Sequence, residues 1–74
     1  MAKRKSATLG VFSGGRLAEL REKKAKLTQF QLGVAIDKDP TTISRWERGL
    51  QIPDVNEAAK LSDALGVGIQ ELFE

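Results

Sequence analysis

Apolar residues recur along this chain at three- and four-residue intervals between polar ones, the spacing of helices that bury one face. Leu17 and Leu20 lie three apart in a segment rich in Glu, Lys, Arg and Ala, all strong helix formers. A first helix is expected from residue 16 to about residues 24–26, where cationic side chains suit the negative end of the helix dipole. Thr28 is a good N-cap and opens a second helix through Ile36. At about 100° per residue, Leu32, Gly33 and Ile36 fall on its inner side, with Phe30 and Val34 on the flank. Asp37-Lys38-Asp39 then interrupts. Asp39 can cap a third helix whose first position suits Pro40, since no N–H is needed there; that helix runs to about Arg48 and stops at Gly49. After the Ile52-Pro53 connector, Asp54 and Glu57 form a capping box with Asp in the usual Ser/Thr place. The fourth helix puts Val55, Ala58, Leu61 and Leu65 on one stripe and ends at Gly66. Ile69, Leu72 and Phe73 make a short final helix. The pattern predicts an all-α domain of five short helices, with no strand pattern and no repeat.

Residues 1–15 read differently, as a flexible basic arm: Lys3, Arg4 and Lys5, a small apolar stretch, then a Ser13-Gly14-Gly15 joint. The domain proper is expected over residues 16–74. The basic start resembles a signal peptide's first region, but the apolar stretch behind it is too short and mixed. No apolar run approaches the roughly 18–20 residues of a membrane span. A cytoplasmic, nucleoid-associated location is therefore expected, with no membrane partner.

Composition narrows the chemistry. With 74 residues the chain makes one small domain. It has neither Cys nor His, which removes disulfides, thiolate nucleophiles, most hydrolytic triads and the usual zinc ligands. There is no phosphate loop either. The sequence predicts no enzyme, no metal, no cofactor and no small-molecule substrate. The net charge of +2 hides a gradient. Residues 1–26 carry eight basic and two acidic side chains, residues 27–53 three of each, and residues 54–74 one basic and five acidic. On the third helix Ile43, Trp46 and Glu47 point one way. Thr41, Ser44, Arg45 and Arg48 point the other, a polar and mostly cationic stripe without an acid. Its inner-face position makes Trp46 a core or boundary residue rather than a base-stacking one.

Thr28-Gln29-x-x-Leu32, followed by Ile43-Ser44-x-x-Glu47-x-Gly49, Pro53 and the Leu61…Ala64-Leu65-Gly66-Val67…Leu72-Phe73 tail, resembles the helix-turn-helix family of phage lambda repressor and Cro. The resemblance covers residues 16–73. It implies a compact five-helix DNA-binding domain whose second helix braces the DNA backbone and whose third enters the major groove. It further implies that Arg45 reads a base, with Thr41 and Ser44 also facing the groove. Thr28 and Gln29 match a phosphate-binding helix N-terminus. Arg48 is a phosphate contact or a plain solubility charge. Lys3, Arg4 and Lys5 are an arm that wraps the duplex or a solubilising tail. Glu47 is structural in the family, pairing with an Arg of helix 1, here Arg21. The link from Arg21 to Thr28 is one residue longer than usual, and the usual offset would set Glu22 against Glu47, two like charges. The extra residue is therefore expected to be absorbed around Ala25-Lys26, restoring Arg21 to Glu47.

The chain departs from the family at several places. Gly33 stands where Ala is preferred, tolerable for close helix packing but at a cost of about 1 kcal/mol in helix propensity. Asp37 replaces the turn glycine, and Asp tolerates a left-handed backbone better than most residues. Lys38 takes a commonly apolar place, predicting a less buried turn, and Pro40 removes one base-contacting side chain. Asp39 either turns inward as a cap or reads a cytosine N4. Phe30 and Val34 form an exposed apolar pair; the arm's Leu9, Val11 and Phe12 fold back onto that flank, or one of these surfaces meets a partner. The expected function is sequence-specific double-stranded DNA binding by a transcriptional regulator, a repressor in style. A homodimer would form through the helix 5 surface or the arm. The competing reading is a protein-interaction module on the same scaffold, such as an antitoxin holding a toxin.

Overall fold

Each α-helix begins on a side-chain oxygen, which satisfies an N–H group that the helix's own ladder leaves free. In the structure, a computed structural model describing residues 10–74, Ser13 Oγ accepts from the Arg16 N–H at 3.1 Å and starts α1 (Gly14–Glu19). Thr28 Oγ1 accepts from Gln31 at 3.0 Å and starts α2 (Gln29–Ile36). Asp39 Oδ1 accepts from Thr42 at 2.9 Å and starts α3 (Pro40–Glu47). Asp54 Oδ1 accepts from Glu57 at 2.7 Å and starts α4 (Val55–Leu65). In α2 and α4 the box closes reciprocally: Gln31 and Glu57 each accept from the cap residue's own N–H, both at 2.9 Å. The stops are equally local. Asp37, Gly49 and Gly66 adopt left-handed φ values of 60°, 76° and 72°, ending α2, α3 and α4.

The first helix departs from expectation at its start and in the geometry of its second half, and ends where expected. It starts at Gly14, so Ser13-Gly14-Gly15 is a helix start and not a flexible joint. The reason is tertiary: a Cβ on Gly14 would run into the carbonyl oxygens of Trp46 and Glu47, so glycine lets α1 sit directly on the end of α3. Beyond Glu19 the helix continues as a π-helical segment, Leu20–Ala25, and Lys26 ends it at φ 57°. The residues just before it are also tied down. Val11 and Glu74 exchange backbone hydrogen bonds of 3.0 and 2.8 Å, and the Ser13 N–H donates to Leu72 O at 2.8 Å. Phe12 and Phe73 meet edge to face with ring centroids 5.9 Å apart. Residues 10–15, expected as part of the arm, thus belong to the folded body. They pair with the C-terminal residues and not with the flank of Phe30 and Val34. Leu9, Lys3, Arg4 and Lys5 lie outside the described residues.

Among the described residues four α-helices stand where five helices were expected, because Ile69–Leu72 is a single 3-10 turn. Leu72 is nevertheless fully buried and closes the core made by Leu17, Leu32, Ile36, Ile43, Trp46, Ala58, Leu61 and Leu65. Val55 is not part of the core stripe: it is 70% exposed, because as the first residue of α4 it projects beyond the packed surface. Among the described residues no helix is long and apolar enough to cross a membrane.

Two features lock α2 and α3 into place. A Cβ on Gly33 would overlap the Lys38 carbonyl oxygen, whose residue also donates its N–H to Gly33 O at 2.8 Å. Lys38 is half-buried, and its Nζ lies 2.7 Å from Glu57 Oε2, joining the turn to the first turn of α4. Glu57 thereby serves both its capping box and this ion pair. The hydrogen bond from Lys38 holds the Glu57 carboxyl below its ordinary value, and Glu57 in turn raises Lys38. Gly33→Ala is expected to lower the melting temperature, although alanine is the better helix former by about 1 kcal/mol; a higher melting temperature would refute the close approach. A depressed folded pKa stabilises above the unfolded carboxylate value near 4 and is lost as pH falls through the folded value. Thermal stability should therefore drop on acidification below about pH 4, and Glu57→Gln should weaken the neutral protein while flattening that drop.

Candidate nucleic-acid interface

The two helices joined by the Asp37-Lys38-Asp39 turn divide their residues sharply between inside and outside. From α3, Ile43 and Trp46 enter the core, and the Glu47 side chain is also nearly inaccessible. Thr41, Arg45 and Arg48 are exposed and Ser44 is half-exposed, one continuous face with hydroxyl and guanidinium groups and no carboxylate. Arg48 Nε donates to Ser44 Oγ at 3.2 Å across one turn of that face. Asp39 lies at its N-terminal edge as the helix cap. The Thr42 N–H lowers its pKa, with a smaller contribution from Arg45, so the carboxylate stays ionised and is used by the helix itself. The capping role, not the cytosine contact, is what its geometry displays.

Glu47 organises the other side. Arg21 Nε donates to Glu47 Oε2 at 2.5 Å and Arg21 Nη2 to Oε1 at 3.1 Å, a bidentate pair with both side chains over nine-tenths buried. Arg21 also gives Nη1 to Leu27 O at 2.8 Å and Nη2 to Glu22 Oε2 at 3.2 Å, so four of its five N–H donors are used. The hydrogen bond to Glu47 first, and then the charges of Glu47 and Glu22, raise the guanidinium pKa further against the opposing effect of burial. The extra residue of the longer link is absorbed within the π-helical segment, slightly before Ala25-Lys26: the carbonyl of Arg21 accepts the N–H groups of both Lys26 and Leu27.

Gln29 also reaches this carboxylate, its Nε2 donating to Glu47 Oε1 at 2.9 Å. The sequence reading had given Gln29 a phosphate role alone. In the structure its amide ties the first residue of α2 to the last residue of α3. Thr28 is exposed, with its hydroxyl engaged in the cap. Of the first-turn N–H groups of α2, that of Gln31 is capped; those of Gln29 and Phe30 lie outside the helix's own ladder. Phe30 and Val34 stand on the outer flank of α2, 63% and 67% exposed. The roles of Gly14, Gly33 and the Lys38–Glu57 pair escaped sequence reasoning, since each depends on a partner far along the chain. Among the described residues no group of three or more potential ligands could hold a metal ion.

Residues 17–72 match the helix-turn-helix family. The chain belongs to it. This helix-turn-helix protein is 35% identical over 60 residues to the control protein C.MunI of a Mycoplasma species, an alignment covering 81% of each chain. Among solved structures it is similar to the P22 c2 repressor in complex with a synthetic operator, with 33% identity and a TM-score of 0.76 over 82% of this chain and 91% of that one. It is also similar to the restriction-modification controller protein C.AhdI of Aeromonas hydrophila, with 35% identity and a TM-score of 0.75 over 81% and 89% of the two chains. The likeness to lambda-repressor-type proteins read over residues 16–73 thus coincides with the matched range, from α1 to the 3-10 turn.

Removing one partner of a buried ion pair strands the other charge. Arg21→Met should therefore cost about 3–5 kcal/mol in urea unfolding. The double change Arg21→Met with Glu47→Leu should recover much of that loss, and additive losses would show that the pair contributes nothing as a unit.

Proposed function

We propose that this protein is a sequence-specific transcriptional regulator of double-stranded DNA, with α3 lying in the major groove and repression by operator occupancy as its mode. The observation that carries the reading is the division of α3: its inner residues are consumed by packing, while Thr41, Ser44, Arg45 and Arg48 share an outward polar and cationic face. Arg45 would pair bidentately with guanine O6 and N7, and Thr41 and Ser44 would contact neighbouring base edges. The free N–H groups at the start of α2, with Thr28 and Gln29, suit one phosphate, and Arg48 suits another. Lys3, Arg4 and Lys5 would add contacts to the backbone. The assembly on DNA would be a homodimer, its twofold axis matching a palindromic operator with half-sites a helical turn apart. Similarity to a repressor solved on its operator and to two control proteins supports a regulator over an enzyme.

Selection of duplexes from a random pool, followed by binding at two salt concentrations, tests the proposal. Affinity should fall steeply with salt, with a log–log slope of about −0.9 per phosphate contacted. Arg45→Ala should lose about 1–3 kcal/mol of discrimination at one base pair without changing the fold. Binding that ignores salt, or an Arg45→Ala protein that selects the parental sequence equally well, would refute the groove-facing assignment.

A further inference from the structure

A helix that ends on a left-handed residue usually ends on glycine, which has no Cβ to clash, or on Asn or Asp, whose short side chain bonds locally. Gly49, Gly66 and Asp37 follow that rule. Lys26 does not: it holds φ 57° with a long cationic side chain. Its backbone is held there by the fold. Arg21 O accepts the N–H groups of Lys26 and Leu27, and Leu27 O accepts from Arg21 Nη1 at 2.8 Å. A residue kept in a disfavoured conformation by its surroundings points to a use for its side chain. That side chain belongs to a patch. Lys23, Lys24 and Lys26 are all exposed, and none forms an ion pair among the described residues. Glu22, the acid beside them, is taken by Arg21. Lysine in a last helical turn also suits the helix dipole, which accounts for Lys23 and Lys24 but asks for no left-handed lysine beyond them. Thr28 follows Lys26 by two residues, a span of at most about 7 Å. The patch therefore adjoins the start of α2, and Arg21 and Gln29 tie both to the carboxylate that ends α3.

We propose that Lys23, Lys24 and Lys26 form a second backbone-docking patch, which takes phosphates of the duplex beside the one met by the start of α2, whatever the base sequence. The ligand is the phosphodiester itself. A compact ammonium on a flexible stem neutralises one phosphate as a point charge and reads no base. The patch raises affinity for all duplexes alike, while the choice among them is made elsewhere. This inference rests on the DNA-binding reading and deepens it.

The test uses the full chain and a duplex selected from a random pool. It compares the parent, Lys26→Gly, and the triple change Lys23→Gln, Lys24→Gln and Lys26→Gln. Lys60→Gln in α4 controls for net charge alone, since Lys60 is also exposed and outside the ion pairs. Lys26→Gly should melt at a higher temperature than the parent, because glycine suits the left-handed cap. It should nevertheless lose about 0.9 from the salt slope, so that the parent's advantage shrinks about threefold between about 50 and 200 mM salt. The triple variant should lose about 2.7, and Lys60→Gln nothing. All variants should select the parental sequence. Replacing phosphates one at a time by uncharged methylphosphonate should reveal a position that weakens the parent and spares Lys26→Gly. The inference is overturned if Lys26→Gly melts lower or keeps the parental slope, or if Lys60→Gln lowers the slope as much. It is equally overturned if every neutralised phosphate affects parent and variant alike, or if the selected sequence changes. Those results leave DNA binding intact. A pool that yields no enriched duplex at all defeats the DNA-binding reading itself, and the inference with it.

Discussion

The Glu47 carboxylate receives donors from two parts of the chain, Arg21 in the π-helical continuation of the first helix and Gln29 at the start of α2, and Arg21 in turn donates to the Leu27 carbonyl in the connector between them. Burying an acid and a base this deeply costs solvation, which attraction offsets only when the geometry is good and the remaining donors are satisfied. The pair is bidentate, and Arg21 spends two of its three other donors on Leu27 and Glu22. Because Glu47 is the last residue of α3, holding it sets the rotation of that helix about its axis. Ser44, Arg45 and Arg48 turn outward as a consequence. Because Gln29 is the first residue of α2, the same carboxylate also registers the free N–H groups of α2 against the outward face of α3. The outward face of α3 and the start of α2 are thus fixed in one frame.

That frame explains the strained-looking first helix. A regular α-helix carried into a link of this length would bring Glu22, not Arg21, toward Glu47, placing two carboxylates together in a buried site. A π-helical segment holds one more residue per turn than the α-helix allows, and so takes up the extra residue without lengthening the connector. The double acceptance at Arg21 O and the left-handed Lys26 are local marks of the same adjustment. The cost of poorer helix geometry over Leu20–Ala25 is small beside that of an unpaired buried carboxylate.

Much of this was legible in the sequence because its determinants are local. Thr28, Asp39 and Asp54 cap helices with groups two or three residues away, and Gly49 and Gly66 end helices where they stand. The division of α3 into two faces follows from spacing alone. What escaped depends on backbone approaching backbone across distance. Gly14 looked like a linker residue because nothing nearby in the sequence announces the carbonyls of Trp46 and Glu47. Gly33 looked like a weak helix residue, yet its missing Cβ admits the Lys38 carbonyl. Lys38 looked like a misplaced charge until Glu57, nineteen residues on, supplied its partner. The apolar pattern assigned Val55 to the core because periodicity cannot see where a helix outruns the surface it packs on.

The same pairings decide what the modest net charge means. Cations that brace the fold are neutralised where they sit: Arg21 by Glu47 and Glu22, Lys38 by Glu57, and Arg16 by the Glu71 carboxylate and carbonyl. Two of the three acids of the helix-turn-helix are likewise committed, Glu47 to Arg21 and Asp39 to the first turn of α3, while Asp37 is exposed in the turn. Arg45 and Arg48 form no ion pair among the described residues, and both are exposed on the face that carries the hydroxyls. A field that attracts a polyanion needs positive charge left uncompensated at one place, not a large total. By using its acids internally, this chain leaves α3 cationic while its sum stays near zero. Placement therefore does the work that a high net charge would do in a less specific binder.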